Sequence, residues 1–207
     1  MPAVSQREAI PAVDRGAAVR NEWAREQFLA AMGLATSAVS VVTTDGAAGR
    51  YGQTVSAMCS VSADPPTLLV CVNLSSPLTA AIAVNECFAV NLLAATQVKV
   101  SDTFAGRTPP GAVPYDFSCA SWSTRVTGSP VLHGAIATVD CRLSQAVEIA
   151  THVILIGTVA ASCSWPSESL AYRSRSYGRH YPFRPDGIAC SGGGVPRDAT
   201  DEGSRRS

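Results

Sequence analysis

Residues 43–73 read TTDGAAGRYGQTVSAMCSVSADPPTLLVCVN, and the turn signals in this stretch divide it into strands. An Asp-Gly pair at 45–46 is typical of a β-hairpin that joins two strands, which we predict over 38–44 and 51–61. A Pro-Pro pair ends the second strand, and a strongly apolar third strand follows over 67–73. The stretch therefore predicts consecutive antiparallel strands.

Strand and helix signals continue on both sides of this stretch. Ser76 followed by Pro77 predicts a helix start, because the hydroxyl can cap the first turn and the proline ring suits it. The other predicted elements are helices from Asn21 to about 35, over 76–85 and over 96–105, and strands over 88–93, 139–149, 151–163 and 170–172. Strands spaced so regularly predict a mainly β fold that is closed, or nearly closed, into a barrel.

The strand predicted over 151–163 is apolar on both faces, since Val153 and Leu155 alternate with Ile154 and Ile156. A strand of this kind needs apolar cover on both sides. The barrel interior can supply one cover and a second subunit the other. The pattern therefore favours a homodimer.

The composition excludes several classes of protein. Lysine plus arginine equals aspartate plus glutamate at 16 each, so no positive surplus favours a nucleic-acid partner. No apolar run approaches the roughly 20 residues that span a bilayer, and the N-terminus lacks the apolar region of a secretory signal. We expect a cytoplasmic protein without a membrane partner. The seven cysteines show no metal-binding spacing, so no metal site is expected.

The chain divides into three parts. Residues 1–20 are expected to form a flexible leader, residues 21–183 one folded domain, and residues 184–207, rich in Gly, Ser, Arg and Asp, a disordered tail. No G-x-G-x-x-G follows the first strand, and neither G-x-S-x-G nor H-E-x-x-H occurs. Hydride transfer between two cofactors needs little acid or base chemistry from the protein, so this class of reaction fits the sequence.

The whole pattern of motifs resembles one known family. Residues 43–73 strongly resemble the flavin reductase-like family of FMN-binding split barrels. Further motifs follow in the family's order: FAVNLL at 88–93, FAG at 104–106, THVILIG at 151–157 and Y-x-x-x-x-Y at 172–177. The ordered set is a strong signal, whereas each motif alone is weak.

This resemblance implies a six-stranded antiparallel Greek-key split β-barrel with two or three flanking helices. It also implies a homodimer, with a flavin held in a groove near the dimer interface. The implied activity is an NAD(P)H:flavin oxidoreductase that transfers a hydride from NADH or NADPH to FMN or FAD. Neither the choice of donor nor the choice of flavin is fixed by the sequence.

Within the family, the sequence is similar to the reductase components of two-component flavin-dependent monooxygenases, such as that of 4-hydroxyphenylacetate 3-monooxygenase. The implied partner is a separate aromatic monooxygenase that takes up reduced flavin by diffusion. Two alternatives stay open. One is the reductase of a pyrimidine-degradation monooxygenase, and the other is a flavin-binding split-barrel protein without reductase turnover.

The resemblance places the flavin edge along Gln53, Thr54, Val55, Ser56 and Ala57. Small residues there let backbone amides approach the polar edge of the ring, and hydroxyls can bond to the ribityl chain. The alternative interpretation is an ordinary strand that exposes Thr and Ser.

Asn73, Ser75, Ser76 and Thr79 lie where the family binds the flavin phosphate, at a helix start whose free N–H groups and dipole favour an anion. The alternative is that Ser76 only caps the helix. Many relatives carry Arg or Lys in this loop, where this chain has Leu74. We therefore expect weak phosphate binding, which suits a flavin that is released as product.

The remaining candidates follow the later motifs. Phe104 and Gly106 fall on the F-A-G motif, so Phe104 either walls the flavin or is a core aromatic at a helix end, and Gly106 either lines the site or ends the helix. Tyr172, Arg175 and Tyr177 could stack on rings and pair with a pyrophosphate, or could form a basic surface.

His152 is the one candidate for a catalytic role. In the family, the matching histidine lies near the nicotinamide or the flavin, where it can help to position the donor. The alternative is a histidine that is satisfied within an apolar strand.

Overall fold

The computed structural model describes residues 22–182. Its helices are α1 (Glu22–Gly33), α2 (Pro77–Asn85) and α3 (Val98–Phe104). Its strands are β1 (Ser37–Ala38), β2 (Ser40–Thr44), β3 (Tyr51–Val55), β4 (Met58–Ala63), β5 (Pro66–Asn73), β6 (Cys87–Leu92), β7 (Trp122–Thr124), β8 (Pro130–Leu132), β9 (Ala137–Ile149), β10 (His152–Ser164), β11 (Leu170–Arg173) and β12 (Ser176–Arg179). The predicted leader, the Asn21 cap and the predicted tail lie outside the described residues.

The main sheet is antiparallel, with strands in the order β3-β2-β6-β9-β10-β5-β4. Its two edge strands, β3 and β4, are consecutive in the chain. The prediction treated them as one strand over 51–61, but the chain bends at Ser56 and Ala57 and crosses from one edge of the sheet to the other. The N–H of Cys71 on β5 donates to the carbonyl of Ala57 at 3.0 Å, which joins the bend to β5. If β3 and β4 are counted as one bent strand, the predicted six-stranded split barrel is confirmed.

The barrel interior is apolar because the strands alternate inward and outward side chains. Val70 and Val153 are at most 2% exposed, and Phe88 is fully buried among them. Gly157 lies so close to Phe88 that a Cβ there would come within 2.5 Å of the ring. Burial raises the pKa of the neighbouring Cys141 thiol to about 12, so this cysteine serves as a small apolar core residue.

A second apolar cluster lies outside the barrel and was not predicted. Phe104 of α3 is fully buried, and its ring meets Phe117 and Trp122 edge-on, with centroids 4.9 and 5.5 Å away. Trp122 belongs to the hairpin of β7 and β8, whose short strands the sequence pattern did not reveal. This cluster fixes α3 against the main sheet.

A small sheet with strand order β1-β11-β12 covers the end of this cluster. Tyr172 and Tyr177 are paired in register on β11 and β12, and their ring centroids are 5.3 Å apart. Ser174 and Arg175 form the turn between these strands, with positive φ values of 49° and 62°. The hairpin thereby presents two tyrosine side chains to α3.

The outer face of the main sheet is apolar where β10 pairs with β9. Ile154 and Ile156 are only half-buried, and Val147 and Ile149 on β9 are 42% and 54% exposed. The two-sided apolar character predicted for β10 is therefore present, with one face unpaired in the single chain. Within the described range, no helix has the length and hydrophobicity needed to cross a membrane.

Candidate functional site

The candidate site lies on both sides of β3, the strand at one edge of the main sheet. Successive side chains of a strand point to opposite faces, so β3 reaches α2 with one set and α3 with the other. Gln53 accepts a short hydrogen bond from the hydroxyl of Ser76 at the start of α2. Thr54 donates through its hydroxyl to the carbonyl of Ser101 in α3 at 2.7 Å. Each face of β3 borders a cavity.

The larger cavity, which we call the α2 cavity, has a volume of about 560 Å³. It contains the start of α2, the loop before it and the exposed side of β3. Its lining residues are Arg50, Tyr51, Gly52, Gln53, Asn73, Ser75, Ser76, Pro77, Leu78 and Tyr115.

The residues predicted to bind phosphate lie together at the start of α2. Ser76 caps the helix, accepting a hydrogen bond from the N–H of Leu78 at 3.3 Å. Asn73 accepts from the Ser75 hydroxyl at 2.7 Å through its side chain, and from the Thr79 hydroxyl at 3.0 Å through its backbone carbonyl. Because these hydroxyls already donate within the group, the helix start offers an anion fewer donors than its sequence suggests.

Arg50 is the cation of the α2 cavity, and it is not among the residues predicted from the sequence. Its Nε lies 2.8 Å from Asp45, and its guanidinium carbon lies 5.5 Å from the centroid of the Phe117 ring. Within residues 22–182, its terminal nitrogens donate to no protein acceptor. The cation missing from the loop at Leu74 is thus supplied from the end of the β2–β3 hairpin. No local motif signals this, since only the fold brings Arg50 to the cavity.

The smaller cavity, which we call the α3 cavity, has a volume of about 220 Å³. Tyrosine side chains, small apolar groups and hydroxyls line it, together with one arginine. These residues are Val39, Thr54, Val55, Ser56, Ser101, Ala105, Arg107, Tyr172 and Tyr177.

A polar network forms one wall of the α3 cavity. Arg107 donates to the hydroxyls of Tyr177 at 2.7 Å and Tyr172 at 3.3 Å. Tyr177 in turn donates to Asp102 at 2.7 Å, and its oxygen lies 2.8 Å from the Ser101 hydroxyl. The Nε of Arg107 lies 3.4 Å from Asp102, which completes an ion pair. The network holds the β11–β12 hairpin against α3.

The surroundings of Tyr177 and Arg107 in this network raise the pKa values of both groups. Burial, followed by the hydrogen bond and negative charge of Asp102, raises the pKa of the Tyr177 phenol. The hydrogen bond to Tyr172 raises the pKa of the Arg107 guanidinium. At neutral pH the wall therefore contains the neutral phenol of Tyr177 and a permanently charged arginine.

Two candidates from the F-A-G motif have structural roles. Phe104 is fully buried beneath Gly52 and beside Phe117, and it is in the lining of neither cavity. This position agrees with the alternative interpretation, in which Phe104 is a core aromatic at a helix end. Gly106 follows the end of α3 with φ +71°, and the Tyr115 hydroxyl would lie 2.7 Å from a Cβ there. Gly106 therefore ends the helix and lets Tyr115 approach.

The structure does not bring every candidate into the cavities. Arg175 lies in the β11–β12 turn beside α1, facing a different surface groove with Leu29 and Gly33. Ala57 sits in the bend between β3 and β4, outside both linings. His152 is exposed at the start of β10, in register with Asn73 and 2.9 Å from the Thr151 hydroxyl. It stands at the rim of the α2 cavity rather than in its lining.

The two cavities together suit a planar ligand with an anionic tail. Hydroxyls and an arginine surround the α2 cavity, and tyrosines with a second arginine surround the α3 cavity. Among the lining side chains that the structure describes, none is a histidine or a carboxylate. The site can bind and orient a ligand and can offer positive charge, and the carboxylate of its polar network, Asp102, lies behind Tyr177 and Arg107 rather than in the lining.

Comparison with known proteins gives a family for most of the chain. A family model described as "Flavin reductase like domain" matches residues 32–180. An FMN reductase (NADH), RutF, from Serratia proteamaculans is 44% identical over 154 residues, which are 74% of this chain and 86% of that protein.

Solved structures show the same fold. The NADH:FAD oxidoreductase SgcE6 from Streptomyces globisporus, in complex with NAD and FAD fragments, matches with a TM-score of 0.69 at 28% identity, covering 81% of this chain and 98% of that one. The styrene monooxygenase flavin reductase from Pseudomonas putida S12 matches with a TM-score of 0.65 at 25% identity, covering 74% and 97%.

Proposed function

Since this chain belongs to the flavin reductase-like domain family, it is a flavin reductase, and we propose that it transfers a hydride from NADH to FMN. The observation that carries the proposal is the position of β3 between two cavities of complementary chemistry. The choice of NADH and FMN rests on RutF, the FMN reductase (NADH) that is 44% identical to this chain.

The donor set at the two cavities fits a flavin mononucleotide. Arg50 can bind a terminal phosphate in the α2 cavity, and the hydroxyls of Ser75 and Ser76 can join it by rotating away from their acceptors on Asn73 and Gln53. Thr54 lies on the edge strand β3 and Ser56 in the bend that follows it, where hydroxyls and backbone groups can bond to the polar edge of a ring. We propose that the flavin lies across β3, with its phosphate in the α2 cavity and its ring edge in the α3 cavity.

The chemistry of the step needs two electrons and one proton, which move together as a hydride from C4 of the reduced nicotinamide. When bound, the flavin supplies N5 as the acceptor of that hydride, and the oxidised nicotinamide then leaves. Thr54 and Ser56 orient the ring, and Tyr172 and Tyr177 exclude water from one side of it. Neither a carboxylate nor a histidine is among the described lining residues of the two cavities, which agrees with a step that requires no protein acid or base.

His152 is proposed as a residue that helps to position the donor. It is exposed at the rim of the α2 cavity beside Asn73, where an imidazole can reach a ligand that enters from the outer face. The His152→Gln variant is expected to raise the KM for NADH and leave the Kd for FMN unchanged. Equal values in the variant and the wild type would remove His152 from the site.

A homodimer is proposed from the outer face of β9 and β10. Val147 and Ile149 expose large apolar side chains next to the half-buried Ile154. The site lies on β3, which is an edge strand of the same sheet. Covering this face with a second copy would remove contiguous apolar surface from water.

For the partner, we propose a pyrimidine-degradation monooxygenase rather than the aromatic monooxygenase that the sequence favoured. The comparisons support this alternative better, because identity is 44% to RutF but only 25% to the styrene monooxygenase flavin reductase. Deleting the gene should prevent growth on uracil as the nitrogen source and leave growth on 4-hydroxyphenylacetate intact. The opposite pattern would restore the aromatic role.

The test of the proposed activity is NADH oxidation by the purified protein with FMN, without any oxygenase substrate. We expect rapid, FMN-dependent oxidation under anaerobic conditions that stops when the flavin is fully reduced. FAD, riboflavin and NADPH in parallel reactions determine the preferences. A protein that binds flavin but oxidises no reduced nicotinamide would be a flavin carrier, and the proposal would fail.

A further inference from the structure

Arg107 is held at the α3 cavity by the end of helix α3. Gly106 adopts φ +71° after the helix and reverses the chain, and the N–H of Arg107 then donates to the carbonyl of Asp102 at 2.8 Å. This backbone contact returns the side chain toward the cavity. The position of the guanidinium therefore depends on a turn, not on the flexible reach of a surface arginine.

The guanidinium has two donors that no described residue uses. An arginine carries five N–H groups. One is given to Tyr172, one to Tyr177, and the Nε–H lies toward Asp102. One N–H on each terminal nitrogen is left, and the part of the chain that the structure describes offers no acceptor for either. Arg107 lines the same cavity as Thr54 and Ser56, so these two donors can serve a bound ring.

We infer that Arg107 makes this site bind reduced flavin more tightly than oxidised flavin, by placing a positive charge at the ring edge that gains negative charge on reduction. The inference rests on the proposed function, in which the polar edge of the ring lies along Thr54–Ser56, and it takes the N1–C2=O side of that edge to face Arg107. Arg107 lines the α3 cavity together with Thr54 and Ser56 and supplies its positive charge.

The physical reason is a charge difference between two states of the ligand. Reduction by a hydride leaves negative charge on the N1–C2=O edge of the ring, and charge near N1 is one way in which a protein tunes a flavin. A cation beside the reduced edge attracts its negative charge, and the attraction is stronger in a partly closed site than in water. The phosphate is common to both states, so its contribution cancels from the ratio of the two dissociation constants.

Asp102 limits the effect. Its carboxylate is 3.4 Å from the Nε of Arg107, and the two side chains are 34% and 50% exposed. The ion pair and the solvent both screen the positive charge. A moderate preference for reduced flavin suits a protein that must also release it. Removing the charge of Asp102 should therefore strengthen the preference for reduced flavin. Removing the charge of Arg107 should abolish that preference.

The experiment measures the Kd of oxidised FMN and the Kd of reduced FMN, the latter under anaerobic conditions, for the wild type and four variants. Arg107→Gln should lower the ratio of oxidised to reduced Kd about tenfold, which corresponds to about 30 mV in the midpoint potential of the bound flavin. Arg107→Lys should lie between, and Asp102→Asn should raise the ratio. Arg173→Gln, an exposed arginine on β11 outside both cavities, should leave the ratio unchanged.

Two outcomes would overturn the inference. If Arg107→Gln raises both dissociation constants equally, Arg107 has only a structural role in holding the tyrosines. If Arg107→Gln changes only the KM for NADH, the α3 cavity binds the donor. If Arg107→Gln does not fold, the wild type alone tests the inference, because its ratio of oxidised to reduced Kd should fall with added salt. A ratio that salt does not change would then overturn the inference. A wild type that binds neither form of FMN would refute the proposed function itself.

Discussion

Gly52 of β3 lies directly against the ring of Phe104 in α3, so that a Cβ at position 52 would come within 2.7 Å of the ring. Phe104 is fully buried, and its ring is held edge-on by Phe117 and Trp122. The ring therefore cannot move away without disturbing the second apolar cluster. This contact sets the distance between β3 and α3, and with it the width of the α3 cavity.

The Gly52→Ala variant should lose about 1–3 kcal/mol of unfolding free energy, because an added methyl in a packed site forces β3 or Phe104 to shift. Its affinity for FMN should fall as well, since β3 borders both cavities. Urea unfolding and FMN titration measure the two effects. Gly178→Ala is the matched control on a strand, because nothing lies within 4 Å of a Cβ there. Similar losses in both variants would contradict the account of this contact.

The Arg50→Gln variant should weaken the binding of FMN about fivefold to tenfold and leave the binding of riboflavin, which has no phosphate, almost unchanged. Titration of both flavins with each variant measures this. Arg179→Gln is the control, because Arg179 also pairs with a carboxylate, at 2.9 Å from Glu168, and has a similar exposure of 49%. Equal loss of FMN and riboflavin affinity would show that Arg50 does not bind the phosphate.

Stability at alkaline pH should report the environment of Tyr177. The folded protein holds the phenolic proton more tightly than the unfolded chain, because burial and Asp102 raise the pKa of Tyr177 above its ordinary value of 10.0. The resulting stabilisation is complete below that ordinary value and is lost as the pH rises through the raised, folded value. Urea unfolding across this range should show a steeper loss for the wild type than for Tyr177→Phe. Parallel curves would contradict the assignment.

The oligomeric state should depend on the outer face of β9 and β10. We expect the wild type to sediment as a dimer and Val147→Glu to sediment as a monomer, because a charge at the centre of a covered apolar face must be desolvated. Val126→Glu, at a valine that is 60% exposed elsewhere, is the control and should stay dimeric. A monomeric wild type, or dissociation of the control alone, would rule out this interface.

Local chemistry explains which parts of the fold could be predicted. Ser76 and Pro77 fix a helix start by capping and by ring geometry, and the structure begins α2 at Pro77. The Asp-Gly turn fixes the β2–β3 hairpin in the same way. The bend at Ser56–Ala57 left no signal, because only closure of the sheet requires it. The β7–β8 hairpin was missed because three-residue strands are too short to show alternation.

The site was less accessible to sequence reasoning, because its charges come from distant segments. Arg50 and Arg107 are isolated arginines that belong to no motif in the sequence. The β2–β3 hairpin brings Arg50 to the α2 cavity, and the turn after α3 brings Arg107 to the α3 cavity. The sequence favours Arg175 because it lies between Tyr172 and Tyr177, but the turn of the hairpin places it in a groove beside α1. The roles of the candidate residues toward a ligand stay predictions.

The most direct measurement is a crystal structure of the protein with FMN bound. The account predicts a ring whose polar edge contacts Thr54 and Ser56, and a phosphate that contacts Ser76 and Arg50, so that the flavin crosses β3. A flavin bound away from β3, or with its phosphate in the α3 cavity, would contradict it.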